Sequence, residues 1–174
     1  MRYGEVMARW IERLTAAAGK LSRDVREDHE AMNLFNSKYD PRRRPAEPIA
    51  KDLVEKIGFQ FIAACRVMRF FKDVDAALPA RITSRMIRHL YGSDVHWDAE
   101  IAPGIVVVHG MGMAISHQAS IGPRVLLFQG CTLGVGRHPD TGEVGAPTSP
   151  VSGWRPTPRV HPWKRRTRGP IAAW

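Results

Sequence analysis

His109 stands in the run Val106-Val107-Val108-His109-Gly110-Met111-Gly112. An imidazole titrates near neutrality, so it can take a proton from a reacting group at working pH. The plain alternative is a polar residue at a turn. Metal chemistry is less well served. Zinc needs three convergent ligands, and among His96, His109, His117 and His138 the pair His109 and His117 is eight residues apart, an awkward spacing for one cluster. Cys65 and Cys131 offer neither a metal-ligand spacing nor a disulfide framework; both read as packing residues. Gly110-Met111-Gly112 and Gly134-Val135-Gly136 are not dinucleotide fingerprints, because no helical pattern follows either.

The chain of 174 residues that positions these groups divides into three regions. Up to about Gly92 the pattern is helical. Met7, Trp10, Leu14, Ala18, Leu21 and Val25 recur at three- or four-residue steps on one helix face. The segment Tyr39-Asp40-Pro41-Arg42-Arg43-Arg44-Pro45 breaks that helix, since proline lacks an amide donor and biases its predecessor away from helix. A second stripe runs through Ile49, Leu53, Ile57, Phe61, Ala64, Met68 and Phe71. A third helix is predicted from near Pro79, carrying Ile82, Met86 and Leu90 and stopping at Gly92. All three stripes are expected to be core.

The period then changes to six. Ile101, Val107 and Met113 form one series, and Ile115, Ile121, Leu127 and Leu133 a second, offset by two residues around His109-Gly110-Met111-Gly112. Slim residues, Ala119, Val125 and Cys131, stand two positions before the later anchors. Such a period fits hexapeptide repeats winding a parallel β-helix. From about Pro147 every period is lost.

The net charge of +9 raises the question of nucleic acid. Its distribution answers it: six basic residues and no acidic one follow Trp154, and without those six charges +3 remains. Neither nucleic acid nor a membrane is expected as a partner. No apolar run approaches the roughly 20 residues needed to cross a bilayer, and the first residues show no secretory signal, so a soluble cytoplasmic protein is expected.

Ser93-Asp94-Val95-His96, Ile101-Ala102-Pro103-Gly104, Val108-His109-Gly110-Met111-Gly112, Ile121-Gly122, Phe128-Gln129-Gly130-Cys131-Thr132-Leu133-Gly134 and Arg137-His138-Pro139 follow one another in the order and spacing of serine O-acetyltransferases. The chain resembles that hexapeptide-repeat family over roughly residues 40–139. The resemblance implies an α+β fold: a helical domain over 1–92, a short left-handed parallel β-helix over 93–148, and an irregular basic tail over 149–174. It implies acetyl transfer from acetyl-CoA to the hydroxyl of L-serine, giving O-acetylserine for cysteine biosynthesis, with no metal. His109 matches the family's catalytic base and Asp94 the carboxylate that orients it, the base-plus-orienter logic of hydrolase triads. His138 resembles a substrate-contacting histidine, Arg137 a fork for the serine carboxylate, and Asp40 a ligand of the serine amino group, although a turn former is the simpler reading of Asp40. His96 reads as structural and His117 as solvated. The resemblance further implies trimers, paired into dimers of trimers.

The pattern is departed from at Trp97, at Val135 and in Ser116-His117-Gln118-Ala119. More consequentially, the coils along which the family binds acetyl-CoA are expected after Pro139, and the repeats stop at Gly134. A truncated family member with impaired acetyl-CoA binding is therefore expected, its tail the product of a shifted reading frame or a natural variant. The chain ends Pro170-Ile171-Ala172-Ala173-Trp174, unlike the isoleucine-ended segment that binds cysteine synthase, so that partnership is not carried over. Three readings compete: a hexapeptide acyltransferase for a sugar or antibiotic hydroxyl, a metal-dependent β-helix enzyme of the γ-carbonic-anhydrase kind, and an inactive fragment serving only in oligomerisation. Reading the encoding DNA around the Thr148 codon tests the frame shift. An alternative frame carrying hexapeptide anchors is expected, and the absence of one sinks that account.

Overall fold

The computed structural model describes residues 3–39 and 47–134. The segment 40–46, with Asp40, and everything from 135 onward, with Arg137, His138 and the basic tail, lie outside the described residues.

Six-residue periodicity becomes seven two-residue strands: β1 (Asp94–Val95), β2 (Glu100–Ile101), β3 (Val106–Val107), β4 (Ala114–Ile115), β5 (Ser120–Ile121), β6 (Leu126–Leu127) and β7 (Thr132–Leu133). Strands so short cannot hold a hairpin. Each instead pairs in parallel with the strand one full coil away, giving three faces: β1-β4-β7, β2-β5 and β3-β6. This is a parallel β-helix, preceded by helices.

The register explains the offset in the sequence pattern. Asp94 pairs with Ala114, and Ala114 with Thr132, a first step of 20 residues and a second of 18. The 18-residue coil is three hexapeptides; the first coil holds two residues more. Val95, Ile101 and Val107 stack on Ile115, Ile121 and Leu127, with Leu133 below Ile115. Met113 therefore belongs to another row. Its six-residue distance from Val107 spans the lengthened corner, and it sits two before Ile115, in the row of Ala119, Val125 and Cys131.

Four helices precede the coils: α1 (Tyr3–Tyr39), α2 (Ile49–Glu55), α3 (Ile57–Asp73) and α4 (Ala77–Tyr91). Three sequence expectations change here. The stripe from Ile49 to Phe71 is two helices, because Lys56 is extended (φ −111°, ψ 97°) and breaks the ladder. On α4 the expected core residues Ile82, Met86 and Leu90 are exposed, whereas Ala80 and Ile87 are buried. The reason is tertiary: Ile87 joins the core shared with α3 and the first coil, and Ser84 Oγ donates to the Val95 carbonyl, which turns the opposite face outward. On α1, Met7 and Trp10 are likewise exposed, and burial begins at Ala17. The end of α4 is as expected, with Gly92 left-handed at φ 58°, a conformation natural to glycine.

The core is led by Phe59, Phe61, Ile62, Cys65 and Met68 of α3, which close the top of the coil interior formed by Val95, Ile105, Val107, Met113 and Ile115. Polar groups tie the two parts together. Arg66 on α3 is 3% exposed and Asp28 on α1 is 0%. The guanidinium forks onto the carboxylate (Nε–Oδ2 2.7 Å, Nη2–Oδ1 3.0 Å) and also donates to the carbonyls of Ile101 and Ala102. Asp28 Oδ1 accepts from the Ile105 amide at 3.0 Å. One buried pair thus joins two helices to the turn between β2 and β3.

Removing one partner of a buried pair strands the other charge, at a cost of about 3–5 kcal/mol. Arg66→Ala is expected to lower unfolding free energy by that order in urea titrations. A loss below about 1 kcal/mol, the range of an exposed pair, would show that the pair does not join the parts.

Candidate active site

The lengthened corner between β3 and β4 carries His109. Its backbone is left-handed at φ 73°, followed by Gly110 at φ 56° and Gly112 at φ 67°. Glycine tolerates such angles freely; a histidine there is strained by roughly 1–2 kcal/mol. The corner is nevertheless well anchored. The Val108 amide donates to the Leu127 carbonyl at 2.8 Å, and Gly130 donates to the Met111 carbonyl at 3.0 Å. Fully buried Ser93 donates from Oγ to the Gly110 carbonyl and accepts from the Met113 amide, each at 3.0 Å. The imidazole itself is exposed, and among the described residues it has no hydrogen-bond or ion-pair partner. It is open to a substrate, and Met111, two residues on in the same corner, is half-exposed.

Asp94 begins β1 at the same end of the coil, one residue after Ser93, so the Ser93–Gly110 bond brings the two chain segments together. Its carboxylate, however, is held by Arg88 (Nη2–Oδ1 2.6 Å) and not by His109. Both members of that pair are more than half exposed, where ion pairs contribute little and exchange readily. Arg88 is a neighbour that the sequence pattern did not single out. Asp40, Arg137 and His138 lie outside the described residues, so their placement adds nothing to this geometry.

His96 and His117 come together on the outer face of β1 and β4, ring centroids 5.3 Å apart. Trp97 lies 5.8 Å from His96, and the Arg81 guanidinium stands 5.1 Å over the Trp97 ring. The Asp98 amide donates to His96 Nδ1 at 3.1 Å, which places any ring proton of a neutral His96 on Nε2. Burial first, then the neighbouring His117, push the His96 pKa below its ordinary 6.5. Among the described residues no three His, Cys, Asp or Glu side chains converge on a metal-sized site. Burial raises the Cys65 thiol to about 12, so it holds no thiolate at neutral pH.

Two further residues shape the His109 corner. Gly58 lies in the first turn of α3, and a Cβ there would sit 1.9 Å from the Val107 carbonyl oxygen. Phe61, one turn on, packs against Gly110, where a Cβ would be 2.9 Å from the Phe61 Cβ. The one signal for Gly58 in the sequence is a glycine inside a helical stripe, which often marks a close backbone approach.

No protein-family model matches the chain. Among curated proteins, a serine acetyltransferase of Synechococcus elongatus is 33% identical over 92 residues, covering 51% of this chain and 38% of that protein. One of Synechocystis is 39% identical over 107 residues, covering 56% and 43%. Among solved structures, Neisseria gonorrhoeae serine acetyltransferase superposes with a TM-score of 0.58 at 21% identity, covering 75% of this chain and 50% of that one. Entamoeba histolytica serine acetyltransferase 1 in complex with L-cysteine gives 0.59 at 20% identity, covering 79% and 48%. The chain is akin to the serine acetyltransferases in sequence as well as in fold. It spans less than half the length of these curated relatives. The likeness in fold extends over about three quarters of this chain.

Because the His96 pKa is depressed, the folded state favours the neutral ring. That contribution is fully present above the ordinary 6.5 and is lost as pH falls through the lower value of the folded protein. An NMR titration is expected to give a His96 midpoint below 6.5, and His117→Gln to move it upward. A midpoint unaltered by that substitution would remove His117 as a cause.

Proposed function

We propose that this chain carries the acceptor-activating part of a serine O-acetyltransferase, which moves the acetyl group of acetyl-CoA to the L-serine hydroxyl and yields O-acetylserine for cysteine biosynthesis. The observation that carries the reading is the exposed imidazole of His109, without a hydrogen-bond or ion-pair partner among the described residues, on a strained, well-anchored corner. A hydroxyl is a weak nucleophile at neutral pH and needs a base as it attacks. His109 takes the hydroxyl proton while the serine oxygen bonds to the thioester carbonyl carbon. The carbon–sulfur bond then breaks, and the imidazolium returns its proton to the departing thiolate. No metal enters these steps.

Asp94 is the carboxylate assigned to orient the ring and balance its positive charge, on leaving its exposed pairing with Arg88. Arg137 is assigned to the serine carboxylate and Asp40 to the amino group, roles that suit a fork of guanidinium donors and a carboxylate, and His138 to a further contact with the substrate. A solved serine acetyltransferase in complex with CoA superposes on this chain with a TM-score of 0.57, covering 72% of it, which supports acetyl-CoA as the donor. Assembly into trimers, or dimers of trimers, is part of the proposal. It is supported by the exposed apolar rows Leu78, Ile82, Met86 and Leu90 on α4 and Val6, Met7, Trp10 and Ile11 on α1, larger than isolated surface residues and typical of contact faces. Cytoplasmic residence completes it; no helix among the described residues is long and apolar enough to cross a membrane.

The test is thiol release from acetyl-CoA by the purified chain, with serine as acceptor. Serine-dependent release is expected, at a raised KM for acetyl-CoA in keeping with the impaired binding expected above, and His109→Ala is expected to lower kcat by about 10²–10⁴, the usual worth of a general base. Release that needs a sugar or antibiotic hydroxyl instead would overturn the acceptor. Serine-dependent release that survives His109→Ala would overturn the base.

A further inference from the structure

The left-handed backbone of His109 is not the conformation that a six-residue connection rich in glycine would choose alone. Rotation of one peptide would return His109 to the ordinary region and swing its imidazole away from the corner. Three groups outside the corner stand against that rotation. Gly58 of α3 lies so close to β3 that a Cβ on it would meet the Val107 carbonyl oxygen at 1.9 Å, the Val107 carbonyl carbon at 2.8 Å and the His109 nitrogen at 3.4 Å. Phe61, fully buried, covers the Gly110 α-carbon. Ser93, also fully buried, ties down the Gly110 carbonyl and holds the Met113 amide as well.

We infer that Gly58, with Phe61 and Ser93, forms a clamp that holds His109 in its left-handed conformation and thereby aims the imidazole. These are positioning residues, acting through His109. Gly58 is the decisive member, because any side chain there forces α3 and β3 apart by more than flexible atoms can absorb. The clamp also links the site to the helical part of the chain, since α3 is anchored through Arg66. Strain of this kind persists only where its surroundings over-determine it, and three contacts from two chain segments, α3 and the start of the coils, do so. The catalytic meaning of the clamp rests on His109 being the general base; its geometry does not.

The full chain carrying Gly58→Ala, Ser93→Ala or Gly122→Ala separates the two. Gly122 is a coil glycine where an added Cβ would meet nothing within 4 Å among the described residues, and its substitution is the control. In imidazole NMR spectra, with the His109 signal assigned by loss in His109→Gln, Gly58→Ala is expected to move the His109 resonance while those of His96 and His117 stay in place. In the thiol-release assay kcat is expected to fall about tenfold or more, as a misplacement near 1 Å does, with KM for acetyl-CoA within about twofold. Ser93→Ala is expected to act in the same direction and less strongly, and Gly122→Ala to alter neither readout. An unmoved His109 resonance in Gly58→Ala overturns the clamp, as does a fall in kcat with that resonance unmoved. If Gly58→Ala does not fold, an unmoved His109 resonance in Ser93→Ala overturns it. A wild-type chain without acetyl transfer would refute the proposed function and leave the NMR arm to decide the clamp alone.

Discussion

The guanidinium of Arg66 and the carboxylate of Asp28 are both shut off from water, and the placement of α1, α3 and the first coil depends on how they meet. Burying two charges costs several kcal/mol per ion unless geometry and further hydrogen bonds offset it. Here the fork is two-pronged, the guanidinium spends its other donors on the carbonyls of Ile101 and Ala102, and the carboxylate takes the Ile105 amide as well. An apolar pair of similar volume would fill the space without choosing a register. The ionic pair favours one, because four guanidinium contacts and the Ile105 amide have to be met together.

That register carries over to the candidate site. Gly58 stands eight residues before Arg66 on the same helix, about 12 Å along its axis. When Arg66 is seated on the turn between β2 and β3, the first turn of α3 is set against β3 and the His109 corner. The helical region is therefore more than a cap over the coil interior. It supplies two of the three contacts around the residue that carries the proposed chemistry, and the buried Ser93 at the start of the coils supplies the third.

The coils contribute a different constraint. Strands of two residues have too few hydrogen bonds to stand alone, so each depends on the strand stacked one turn away. Side chains accordingly form ladders, as Val95 over Ile115 over Leu133 does inside. A departure from the 18-residue turn has to be absorbed at a corner. The two additional residues are absorbed around His109, which is why that residue alone among the coil histidines stands in a left-handed turn with its ring unpartnered among the described residues.

Much of this was legible in the residues. The six-residue period announced the coils, its two-residue offset marked the corner, and Gly92 marked the end of the last helix. These are properties of neighbours along one strand of backbone, where spacing alone determines which side chains face together. What spacing could not decide was which face of a helix meets the rest of the molecule. Ile82, Met86 and Leu90 form as good a stripe as any, yet Ala80 and Ile87 are the buried side of α4. It also could not show that Lys56 divides one apolar stripe into two helices, that Met113 belongs to another row, or that the Asp94 carboxylate is held by Arg88. Each of these depends on atoms far away in the chain. For His109 the division is the same: its place at a lengthened corner is written in the local spacing, whereas its left-handed conformation is held by Gly58, Phe61 and Ser93, which only folding brings to it.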